Sequence, residues 1–67
     1  MILQYETILL LCAKRRLTIS GMLRSQHISM QTWKKVRLGQ PVTGLVVWKF
    51  VQALGVDAEE IIEKKYR

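Results

Sequence analysis

The chain has 67 residues, a formal net charge of +6 and an apolar fraction of 49%. That length gives one domain, 1–67, with a small core and no room for a second. One proline and four glycines in so apolar a chain argue against disorder, and a single cysteine, Cys12, excludes an internal disulfide and a cysteine-based metal site.

The first predicted helix runs from about Tyr5 to Arg16, with Tyr5, Ile8, Leu11 and Cys12 sharing one face that can pack on a core. Leu9 and Leu10 point elsewhere. The apolar run Ile8–Ala13 is too short to span a bilayer, and its basic cluster follows it, the reverse of a secretory signal. A cytoplasmic setting is the expectation.

Thr18 suits the cap of a second helix, Ile19 to about Ser25, with Met22 and Leu23 as its buried residues. Gly21 weakens that helix, so tertiary packing has to hold it. After a turn at Gln26-His27-Ile28, Ser29 caps a third helix, Met30 to about Leu38. Trp33 and Val36 face inward there, while Met30, Gln31, Lys34 and Lys35 face out. Gly39 is placed for a left-handed exit. Thr43 caps a fourth helix, Gly44–Leu54, whose stripe Val47, Phe50, Val51 and Leu54 follows i, i+3, i+4, i+7. Gly55 ends it. Asp57 caps a last helix, Glu60 completes a capping box, and Ile61 is its inward anchor. The tail Lys64-Lys65-Tyr66-Arg67 sets cations at that helix's negative end.

Charge is unevenly spread. Lys14, Arg15, Arg16, Arg24, Lys34, Lys35, Arg37 and Lys49 fill the middle, and residues 7–56 contain no acid. Short helices on a surface cleared of negative charge suit a polyanion, above all double-stranded DNA. Enzyme readings fail on inventory, because there is no glycine-rich phosphate loop, metal cluster or nucleophile set. The expected catalytic, metal and cofactor residues are therefore none. The breaks at Gly39-Gln40-Pro41 and Gly55 also argue against a continuous membrane-surface helix.

The order of these elements resembles the Cro and lambda-repressor type helix-turn-helix family, over about residues 5–63. The residues that carry the resemblance are Leu17-Thr18, the I-S-x-x-T-W sequence Ile28–Trp33, the K-x-R-x-G run Lys35–Gly39, Val42-Thr43, and A-L-G-V-D-A-E-E-I-I from Ala53 to Ile62. The resemblance implies an all-α, compact five-helix domain with its helix-turn-helix motif at about 18–38. Three departures stand out. A Met22-Leu23 pair occupies a site where the family has a small alanine, and His27 replaces the turn glycine. Cys12 and Arg37 take the places of an Arg–Glu pair common in the family.

By the same resemblance, Met30, Gln31, Lys34 and Lys35 are the candidate base-contacting residues. Glutamine can pair with adenine, lysine with guanine, and methionine can meet a thymine methyl. Thr18, Ser29, Thr32, Arg37, Gln40 and Thr43 are the candidate backbone contacts, set at helix starts and in the loop after the third helix. Trp33 has core spacing, which outweighs a base-stacking role. The implied function is sequence-specific transcriptional regulation, repression foremost. The expected partners are DNA and a second copy of the chain, with no membrane and no small-molecule ligand. Ile2, Leu3, Leu9 and Leu10, or Val46 and Trp48 with Tyr66, are the apolar surplus expected to form the dimer surface. The same surplus carries an alternative reading, a protein-interaction module such as an antitoxin or a partner of another regulator.

Overall fold

The computed structural model describes residues 1–63, so the basic tail and Tyr66 lie outside the described residues. Five helices follow one another: α1 (Tyr5–Lys14), α2 (Ile19–Ser25), α3 (Met30–Arg37), α4 (Gly44–Leu54) and α5 (Ala58–Ile61). The expected all-α architecture is the one observed. Among the described residues the extended backbone makes a single isolated antiparallel bridge, between Leu3 and Ile62. No described helix is long and apolar enough to cross a membrane.

Local chemistry sets most boundaries. The hydroxyl oxygens of Thr18, Ser29 and Thr43 accept from the N–H groups of Gly21, Thr32 and Val46 at 3.1, 3.1 and 3.4 Å. Each satisfies a donor that the first turn of a helix leaves free. At α5 the Asp57 N–H donates to Glu60 Oε2 at 3.1 Å, the returning half of a capping box.

The exits of α1, α2 and α3 share one pattern. After α1, Arg16 N–H donates to Ala13 O at 3.1 Å and Leu17 N–H to Cys12 O at 2.8 Å. After α2 the pair is His27 to Arg24 O at 3.2 Å and Ile28 to Leu23 O at 2.8 Å. After α3 it is Gly39 to Val36 O at 3.1 Å and Gln40 to Lys35 O at 2.8 Å. These are Schellman closures, which require one left-handed residue. That residue is Gly39 (φ 74) after α3, but Arg16 (φ 57) and His27 (φ 56) in the other two. The left turn at Arg16 stops α1 at Lys14, short of the expected Arg16.

The core takes Ile8 and Cys12 from α1, Met22 and Leu23 from α2, and Trp33 and Val36 from α3. Val47, Phe50 and Leu54 come from α4 and Ile61 from α5, as their spacing predicts, with Ile28 added from the turn. Tyr5, Leu11 and Val51 are half-buried against it. The Trp33 ring lies 5.2 Å from that of Tyr5 and 6.0 Å from that of Phe50, centroid to centroid, so three aromatics tie α1, α3 and α4 together. The larger Met22 is accommodated beside Cys12, with the two sulfurs 3.7 Å apart. Small Cys12 thus leaves the space that a long methionine fills.

The expected apolar surplus at the N-terminus holds for Leu10, which is 57% exposed, and is corrected for the other three residues. Leu3 is 2% exposed and belongs to the core, and Ile2 and Leu9 are half-buried. The cause is an extended segment before α1. Gln4 N–H donates to Ile61 O at 2.7 Å, and Glu63 N–H to Ile2 O at 2.7 Å. The Gln4 side-chain amide adds a bond to Ile62 O at 3.0 Å. On α4, Val46 is half-buried, while Trp48 (56%) and Leu45 (62%) stand out.

Candidate nucleic-acid interface

At 100° per residue, burying Trp33 and Val36 points Gln31, Lys34 and Lys35 away from the core, with Met30 beside them. All four are exposed, Met30 at 68%. Leu38, the residue that closes α3, falls on the same outward face and is 56% exposed. Sequence reasoning treated Leu38 only as a helix end; the helical phase was the signal that could have found it.

The backbone candidates divide into separate places. Thr32, Lys35 and Thr43 line one shallow concavity together with Pro41, Val42 and Val46. Ser29 joins Thr32 there through a shared hydroxyl hydrogen bond of 3.0 Å. Gln40 is exposed, with its backbone fixed by the Schellman bond to Lys35. The start of α4 and the outward edge of α3 are therefore adjacent, and Ser29, Thr32, Lys35 and Thr43 form one polar rim.

Thr18 and Arg37 lie outside this rim. Thr18 lines a different concavity, with Arg16, Ser25 and Ala53. Arg37 falls on the opposite edge of α3 from Thr32 and Lys35. It shares its concavity with Tyr5, Glu6 and Glu63, at the start of α1.

Electrostatics follow the same division. Lys14, Arg15, Arg16, Arg24, Lys34 and Lys35 are all exposed. The described acids are Glu6 on α1 and Asp57, Glu59, Glu60 and Glu63 in and around α5, which packs on α1. Lys49 reaches across from α4, and its ammonium donates to His27 O at 3.4 Å, which ties α4 to the turn between α2 and α3. Among the described residues no polar or charged residue is buried, so the charges lie at the surface where a ligand can meet them. Burial pushes the ionisation of the Cys12 thiol up, which suits a packing residue and not a nucleophile.

Compared with known proteins, the chain matches no family model, no curated protein and no solved structure.

Proposed function

We propose that the chain is a sequence-specific double-stranded DNA-binding regulator, acting as a repressor, without catalytic, metal or cofactor chemistry. The observation that carries the reading is the outward face of α3. It presents Gln31, Lys34 and Lys35 with no acid on the helix, beside the hydroxyl-bearing rim of Ser29, Thr32 and Thr43. In this reading α3 enters the major groove, and its amide and ammonium groups pair with base edges. Met30 and Leu38 offer apolar contact to thymine methyls. The starts of α3 and α4 then hold phosphate through backbone N–H groups and hydroxyls, and the exposed cations supply the non-specific attraction. The domain works in the cytoplasm, and two copies place their α3 helices one helical turn of DNA apart.

Selection from a random duplex pool followed by footprinting tests the reading. On the selected site, Gln31→Ala and Lys35→Ala each lose about 1–3 kcal/mol of discrimination while non-specific affinity largely remains. Variants as selective as the parent would take base reading away from α3.

A second reading, a protein-interaction module, is favoured by Leu45 and Trp48, which lie on the outward side of α4 at 62% and 56% exposure. Salt separates the two. DNA binding weakens steeply with salt, whereas docking through apolar surface does not.

A further inference from the structure

The segment before α1 does more than close the core. Its far end reaches the loop between α3 and α4. Val42 N–H donates to Met1 O at 2.6 Å, and the Met1 nitrogen donates to Val42 O at 3.2 Å. The Met1 side chain lies over the first turn of α4, with its methyl 4.0 Å from where a Cβ on Gly44 would stand. Two residues along, Leu3 is buried, and Ile2 and Gln4 are bonded to the end of α5 and the strand-like stretch that follows it. One extended tetrapeptide is thus anchored at one end in the core and holds Val42 at the other.

Val42 sits between Gln40, Thr43 and the groove that Thr32 and Lys35 line. The loop has its own constraint at Gln40, through the bond to Lys35, and at Thr43, through the cap of α4. Among the described residues, the backbone N–H and carbonyl of Val42 are both bonded to Met1. From this we infer that residues 1–4 are a positioning strap. They fix the backbone between α3 and α4 so that the start of α4 meets a phosphate in register with α3. This rests on the DNA reading for the phosphate, but not for the hold on the loop. A positioned N–H binds an anion better than a mobile one, because the ordering entropy has already been spent before binding.

Two synthetic full-fold variants test the strap. One lacks Met1 and retains Ile2–Arg67. The other carries an ester in place of the amide at Val42, which removes that N–H and keeps the side chain. Amide hydrogen exchange and affinity for the selected duplex are measured on both. In the chain lacking Met1, exchange at Val42 accelerates while Ile8 and Phe50 stay protected. In both variants duplex affinity falls by about three- to tenfold, the span of one lost hydrogen bond. Base preference is unchanged, since α3 is untouched. A merely structural role would lower core protection and affinity together. Unchanged exchange at Val42, or a loss that tracks core protection, overturns the strap. If the parent binds no duplex at all, the DNA reading fails, and exchange at Val42 alone decides whether the strap holds the loop.

Discussion

His27→Gly is expected to make the protein more stable, although it deletes a side chain. His27 sits at φ 56 in the closure that turns the chain from α2 into the loop before α3. A left-handed conformation costs a residue with a Cβ about 1–2 kcal/mol, with histidine among the more tolerant types. Glycine removes that cost but gives the unfolded chain more freedom, which takes back about 0.4–1 kcal/mol. The imidazole is exposed, so little packing is lost with it. The carbonyl that accepts from Lys49 belongs to the backbone and survives. The balance is a gain of about 0.5–1 kcal/mol, or roughly 2–8 °C in Tm for a domain of this size. Thermal unfolding followed by circular dichroism measures it, with Gly39→Ala as the mirror experiment. Gly39 has φ 74 and open space where a Cβ would go, so its loss is pure backbone strain. A His27→Gly protein less stable than the parent would mean that the imidazole makes a contact worth more than the strain, and the reasoning would fail.

Other expectations follow from burial and placement. Trp33→Ala and Phe50→Ala each cost about 3–5 kcal/mol, enough to unfold so small a domain in a denaturant titration; a folded Trp33→Ala protein that has lost only DNA affinity would restore a stacking role. Arg37 shares its concavity with Glu6 and not with Lys35, so Arg37→Ala changes the salt slope of DNA binding by much less than the about one unit of a lost phosphate contact. A full unit would put its guanidinium on the DNA backbone. Burial raises the Cys12 ionisation, so the folded chain keeps its thiol where the unfolded chain ionises. The resulting stability is complete below the ordinary thiol range and is lost as pH rises through that range and beyond. Denaturation of Cys12→Ala compared with the parent at pH 7 and pH 10 reads this as a smaller drop in the variant.

What the sequence made legible was local. The caps Thr18, Ser29, Thr43 and Asp57 act within three residues of themselves, so a short window contains the whole interaction. The α4 stripe is equally self-contained, because helical period alone assigns Val47, Phe50 and Leu54 to one face. Leu3 was not legible as core. Its burial depends on bonds to residues after α5, and no local pattern announces a pairing across the chain. The left turn at Arg16 carried no signal either, since arginine is not a residue chosen for that conformation. Leu38 and Leu45 were missed for a different reason. Their exposure follows from the helical phase, but Leu38 reads as a helix end and Leu45 is overshadowed by its neighbour Val46, which packing of α4 turns inward by half. Arg37 shows a related limit on the site: its place in the basic run and its edge of α3 follow from the sequence, while the acids that edge faces, Glu6 and Glu63, depend on where α1 packs.

The bond from the Gln4 side chain to Ile62 joins positions 58 residues apart in sequence. Closing so long a loop carries an entropic penalty that grows with the logarithm of its length, and it is met before the contact returns anything. The four longer helices, by contrast, are stabilised by near neighbours along the chain. Contacts of that range form early and make helical domains fast folders. The pairing of Ile2–Gln4 with Ile61–Glu63 is therefore expected to form after the folding transition state. Weakening it leaves the folding limb of a chevron nearly where it was and steepens the loss of native lifetime, because late contacts act on the unfolding rate. On this expectation, the bonds between the segment before α1 and the stretch after α5 set how long the domain lasts once folded, and hardly how quickly it folds.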